Sequence, residues 1–209
     1  MNMLKITKQM GGKMKGFWSI NTSPLDNPFC VAMAKTNAIC AKCYSQRLEK
    51  CYGAVPNIGH GTGKVMAWVN NGVILSGRLL KDNEIPLYPK RGLMRFSAHG
   101  ELFNKIHLNN LIAITEANPK TYHALWTKRL DLTRGGVKRL ENLQYIYSMP
   151  ELNKENAPIP KGFDKVFAVF DKKYAKKENV QINCGGKKCM DCLICYAPYE
   201  EAHINELLK

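Results

Sequence analysis

The chain has 209 residues, 45% of them hydrophobic, and 31 Lys and Arg against 17 Asp and Glu, a net charge of +14. That length and apolar content suit one domain with a core and exclude disorder as the default. No run approaches the ~20 apolar residues that cross a bilayer as a helix, and eight cysteines with no export signal are expected to lie in the cytoplasm, where sulfur points to metal rather than disulfides.

Residues 1–16 are basic and punctuated by Gly11, Gly12 and Gly16, and read as a flexible arm. Residues 17–22 are the first candidate strand. Pro24 and Pro28 then force a loop, in or just after which sit Cys30, Cys40 and Cys43. A polar helix is expected over 44–50, with Cys51 just after it. The glycine run 59–64 invites a phosphate-loop reading. That reading fails, because the spacing is one short, Val65 replaces the Ser or Thr, and no strand precedes it.

Residues 65–80 read as a helix and 93–98 as a second strand ending in His99-Gly100-Glu101. Residues 102–118 have the best helical period in the chain, stopped by Pro119. A third strand over 122–127 ends at Lys128 and Arg129. A short basic helix is expected over 131–140. A fourth strand over 143–148 ends at Ser148, and a fifth over 165–170 ends at Asp171. The alternating run 180–183 reads as a sixth strand, and 200–208 as a terminal helix. Strands alternating with helix-length connections predict an α/β fold, a six-unit (βα)6 partial TIM-like barrel over 17–183, followed by a cysteine-rich cluster-binding tail over 184–209.

The tail is the strongest chemical signal. Cys184, Cys189, Cys192 and Cys195 fall within twelve residues and end in Cys-x2-Cys-x2-Cys, a spacing that wraps thiolates around an iron–sulfur cube. Four thiolates close every iron of a [4Fe-4S] cluster. Cys30, Cys40 and Cys43 can hold three irons of another and leave the fourth open. Zinc is the alternative, with Cys40 and Cys43 as one knuckle, and one cluster shared between the two groups is a further option. Cys51 is left over, as a buried or spare thiol.

Glu101 either accepts from a ligand ammonium or supplies an acidic first turn to the long helix. Gly100 allows close backbone approach. Lys128 and Ser148 end successive strands, where a barrel site is built. Arg95, if it points inward, needs an anionic partner. Trp18, Trp126, Phe96 and Phe170 read as core. Lys172, Lys173, Lys176, Lys177, Lys187 and Lys188 cluster around the sixth strand and the tail, which suits phosphate contacts or simply a solvated face.

Five stretches, Cys40-Ala-Lys-Cys43-Tyr44, residues 95–102, residues 125–128, residues 163–167 and residues 182–185 with the cysteine tail, resemble the phage "gene product 88" family over roughly residues 17–196. More widely, three cysteines after strand one and Gly-Glu after strand two look like the radical S-adenosylmethionine (SAM) enzymes. In those enzymes three cysteines hold a [4Fe-4S] cluster whose open iron chelates SAM. The resemblance implies cluster ligation by Cys30, Cys40 and Cys43, SAM contacts at Gly100, Glu101 and Ser148, and catalytic roles for Glu101, Arg95 and Lys128. It also implies an auxiliary cluster in the tail and an electron donor. The common Cys-x3-Cys-x2-Cys spacing is absent here. The nine-residue gap is similar to that of the Elongator catalytic subunit, which acts on tRNA. The expected function is thus a radical-SAM-like iron–sulfur enzyme acting on or near nucleic acid. The rival readings are a non-catalytic iron–sulfur protein binding nucleic acid or a host protein, and a structural zinc protein.

Overall fold

The computed structural model describes residues 4–8, 12–53, 61–88, 92–198 and 202–208, the side chains of 52–53 and 61–64 excepted. Seven strands form one sheet in chain order: β1 (Ile6–Lys8), β2 (Trp18–Ile20), β3 (Gly92–Phe96), β4 (Thr121–Thr127), β5 (Leu143–Leu152), β6 (Lys165–Phe170) and β7 (His203–Leu207). β1 runs antiparallel to β2, and every later neighbour is parallel. The sheet is open. Between the strands lie α1 (Pro28–Thr36), α2 (Ala38–Ala41), α3 (Tyr44–Gly53), α4 (Gly61–Gly77), α5 (Lys105–Ala117), α6 (Leu130–Thr133), α7 (Lys172–Lys177) and α8 (Cys189–Cys192).

Parallel strands are covered on both faces, so their sequences run apolar without a break. β6, Lys-Val-Phe-Ala-Val-Phe, is buried at every position. On one face Ile20, Phe96, Leu125 and Tyr145 stand in register across β2 to β5, as the helical layer packs Leu75, Leu108, Leu111 and Ile114 against them. Burying each such side chain contributes about 1.5–3 kcal/mol. α5 starts where Asn104 accepts from the His107 N–H (2.9 Å) and ends at Asn118, whose amide donates to Ile114 and Pro86 carbonyls.

The other face carries two rows in register, Ser19–Arg95–Ala124–Gln144 and Trp126–Ile146–Lys165. It is closed by Ile39 of α2 and by the cysteine segment, with Cys184, Cys189, Cys195 and Tyr196 packed on Phe17, Trp126 and Phe167. A face this rich in sulfur is unlike the helical one, and it is where Arg95, Trp126 and the tail cysteines meet.

Several expectations are corrected. Residues 180–183 are not a strand. The last strand is β7, in the stretch expected to be a terminal helix. Asn183 is instead clamped to β7 through its side chain, donating to His203 O and accepting from Asn205 N. The cysteine segment therefore precedes the last strand and bridges β6 to β7. The basic arm holds β1, paired with β2. α5 starts at Lys105, so Glu101 lies in the loop before it and supplies no first turn. The helix expected over 131–140 stops at Thr133, where Gly135 (φ +84°) and Gly136 (φ +98°) take left-handed backbone. The glycine run 59–64 falls largely outside the described residues. No helix among the described residues is long and apolar enough to cross a membrane.

Candidate functional site

Cys30 on α1, Cys40 on α2 and Cys43 in the link to α3 follow one another beyond the carboxyl end of β2. Two asparagines set them there. Asn27 caps α1 by accepting from Phe29 and Cys30 N–H groups (3.0 and 3.3 Å). Asn37 caps α2 by accepting from Ile39 and Cys40 N–H groups (3.1 and 2.9 Å), and donates to Pro150 O. Each cap occupies an otherwise orphan donor and orients the first turn that carries the thiol. Cys43 follows α2, its N–H donating to Cys40 O, and leads into α3. Buried Glu49 of α3 accepts from Ser23 Oγ (2.6 Å) and Leu25 N (3.2 Å), pinning α3 to the start of the loop.

Glu101 faces this group and is only 7% exposed. Its Oε1 accepts from Leu102 N (2.8 Å) and Thr127 Oγ1 (2.6 Å), and its Oε2 from Lys128 N (2.8 Å). A carboxylate offers about four lone-pair sites, so one remains. Burial pushes its carboxyl pKa up, and those donors and the Lys128 charge oppose the shift. Gly100 has φ +82°, and a Cβ there would stand 2.4 Å from Thr22 O. The glycine is required because the chain crosses the backbone leaving β2. Lys128 Nζ donates to Ser148 Oγ (2.5 Å), joining the ends of β4 and β5. Burial pushes the Cys30 thiol up, Glu101, Cys43 and Cys40 add to this, and Lys128 opposes it. Cys30, Cys40, Cys43, Glu101, Lys128 and Ser148 are thus one neighbourhood.

The four tail cysteines line a different cavity, together with Lys13, Met14, Phe17, Arg95, Trp126 and Tyr196. Leu193, with φ +55°, ends α8 and turns the chain so that Cys195 follows on the same side. Burial pushes the Cys195 thiol up to about 12, against the Arg95 charge. Cys184 is also raised by burial, then by Glu206, against Lys13. Lys13 binds this site three ways: its carbonyl accepts the Cys189 N–H (2.8 Å), its ammonium reaches Cys184 Sγ (3.4 Å), and it pairs with Glu206 of β7. The Arg95 guanidinium stacks on Trp126 at 4.0 Å and reaches Met14 Sδ (3.6 Å). Among the described residues, no three Cys, His, Asp or Glu side chains converge on the position of a single metal ion.

The structure therefore separates the predicted residues. Arg95 belongs with the tail cavity, apart from Glu101 and Lys128. Cys51 is exposed on α3, not buried. Tyr196 is buried against Phe17 (5.1 Å between rings), whereas Tyr44 is 49% exposed beside His99. Asn27, Asn37, Lys13 and Met14 were not among the expected site residues. The Asn–Pro–x–Cys and Asn–Ala–Ile–Cys orders are cap signals that could have found the asparagines.

The sequence profile of the family described as "Gene product 88" matches residues 20–204, a span covering both cysteine groups and the whole of β3 to β6. The chain belongs to the Gene product 88 family. Neither the curated proteins nor the solved structures include a match to it.

Proposed function

We propose that this Gene product 88 protein is a radical-SAM-like iron–sulfur enzyme. Its open [4Fe-4S] cluster would be held by Cys30, Cys40 and Cys43, and a closed auxiliary cluster by Cys184, Cys189, Cys192 and Cys195. One observation carries the reading: three thiols gather beside Glu101 and Lys128 at the carboxyl ends of six parallel strands in chain order. That rim is where parallel α/β sheets and barrels build their sites, and the open sheet is read as a partial barrel. The donor set fits the group, because three thiolates leave one iron free and a cube spreads its thiolates more widely than one tetrahedral ion does.

When bound and reduced by an external one-electron donor, such a cluster would pass that electron to the SAM sulfonium, breaking its C5′–S bond to give methionine and a 5′-deoxyadenosyl radical able to take a hydrogen atom from a substrate. The chain's own part is positional. Glu101 Oε2 keeps one acceptor site for an ammonium, Lys128 and the Ser148 hydroxyl offer donors to a carboxylate or ribose, and the Asn27 and Asn37 caps hold the thiol-bearing turns. Lys172, Lys173, Lys176, Lys177, Lys187 and Lys188 are all exposed and flank the tail, which favours a nucleic acid as substrate or tether.

The test is anaerobic reconstitution followed by SAM and dithionite. About eight irons per chain and 5′-deoxyadenosine release that Cys40→Ala abolishes are expected. No release with both clusters intact overturns the enzyme reading. It would leave the second reading, a non-catalytic iron–sulfur protein, which the same exposed lysines favour and which predicts salt-sensitive nucleic-acid binding alone.

A further inference from the structure

Two buried donors in the tail cavity have no acceptor. Trp126 is 8% exposed, and its indole N–H is buried without a hydrogen-bond partner; the Arg95 Nε–H is likewise buried and unpartnered. Leaving such a donor unsatisfied costs about 1–3 kcal/mol, so two in one place call for an explanation. They are fixed together, guanidinium on indole at 4.0 Å, and both line the cavity ringed by Cys184, Cys189, Cys192 and Cys195.

Among the described residues the charges facing that cavity are Lys13, Arg95 and Lys187, and no carboxylate lines it. Glu206 stands nearby, paired with Lys13. Neutral thiols are weak acceptors and leave this lining positive. Four thiolates carrying an iron–sulfur core are anionic and rich in acceptor sulfur, which complements both the charge and the orphan donors.

We infer that Arg95 and Trp126 donate to the sulfurs of a cluster held by the tail cysteines and raise its reduction potential. The inference rests on the proposed auxiliary cluster but not on SAM chemistry at the first group. The direction follows from charge. Reduction adds an electron to an already negative cluster, and a cation and N–H donors stabilise the more negative state more strongly. Arg95 and Trp126 are positioning and tuning residues, not catalytic ones.

The test uses the full chain with Cys30, Cys40 and Cys43 replaced by Ala, so that only the tail holds iron. About four irons and four sulfides per chain are expected. In a dithionite titration with redox mediators, Arg95→Met should move the oxidised-to-reduced ratio at fixed poise about tenfold toward oxidised, a potential about 59 mV lower for one electron. Trp126→Phe, which keeps the ring and loses only the donor, should shift it the same way. Arg95→Lys, which keeps the charge, should recover part of the loss. Full iron and native circular dichroism with both potentials within twofold of the parent ratio overturns the inference. A triple-Ala protein that folds but takes up no iron and sulfide overturns the tail cluster itself. That outcome is separate from the fate of the SAM reading, which 5′-deoxyadenosine release from the intact chain reports.

Discussion

Thr127 donates its hydroxyl to Glu101 at 2.6 Å, tying the end of β4 to the loop that leaves β3. With Leu102 N and Lys128 N on the same carboxylate, Glu101 is the knot that holds the rim of the first cysteine group. Glu101→Gln turns one acceptor oxygen toward a donor as an NH2 group. The metal-free protein should lose about 1–3 kcal/mol of stability, measured by urea unfolding under reducing conditions. A glutamate that served only a ligand would leave the unfolding midpoint in place.

Gly100 should tolerate no side chain. The Cβ of Gly100→Ala would sit 2.3 Å from Thr22 Oγ1 and 2.4 Å from Thr22 O. Backbone has no rotamer with which to yield, and φ +82° adds left-handed strain. Overpacking and strain together predict a loss of about 3–5 kcal/mol, read as a large drop in unfolding temperature. A wild-type midpoint would show that the crossing of these two loops is looser than described.

Acid should weaken the fold through two histidines. Burial lowers His107 to about 3 and His123 to about 4, from 6.5. His107 Nδ1 accepts from Phe103 N, a bond that needs the neutral ring. Both pKa values are depressed on folding, so the unfolded chain binds more protons between pH 6.5 and 4. Stability is full above the unfolded value and is lost as pH falls through that window, by up to about 1.4 kcal/mol per pH unit for each ring. Urea midpoints at pH 7.5, 6 and 5 measure the slope. His107→Gln should reduce it by roughly half, and an unchanged slope would place the acid sensitivity elsewhere.

Removing residues 1–14 should damage the tail site while sparing the first. The deletion takes away β1 and the three Lys13 contacts with Cys189, Cys184 and Glu206. On the two-cluster reading, iron should fall from about eight to about four per chain. Full iron loading would show that this segment is as dispensable as its composition suggests.

The strands β4 and β6 were legible because β-branched and aromatic residues there are bounded by Pro and charged residues, and β3 because a short apolar run ends at His99-Gly100-Glu101. β7 was not. Ala202-His-Ile-Asn-Glu-Leu-Leu208 holds four good helix formers in Ala202, Glu206, Leu207 and Leu208, and pairing with β6 from Val166↔His203 to Phe170↔Leu207 overrides that preference. β1 was missed for a related reason: three residues carry no period, and only the antiparallel match of Ile6 to Ile20 makes them a strand. The thiols of the candidate site could be read from spacing alone. Lys13 could not, since nothing local in a lysine near the N-terminus announces contact with Cys184, 171 residues away. Arg95 was legible as a residue of the second strand, but its place on the indole of Trp126, one strand over, was not.

The cysteine segment lies between β6 and β7, so it is a bridge fastened at both ends. Residues 171–202 must be gathered before His203 can meet Val166, and closing a span of that length costs entropy whether or not the thiols are occupied. Any ligation that ties Cys184 to Cys195 shortens the free span and brings the last strand within reach of its neighbour. On the proposed tail cluster, metal loading would favour completion of the sheet edge. On that reading a chain starved of iron would more often expose the flank of β6, an unpaired strand edge of the kind that recruits other chains.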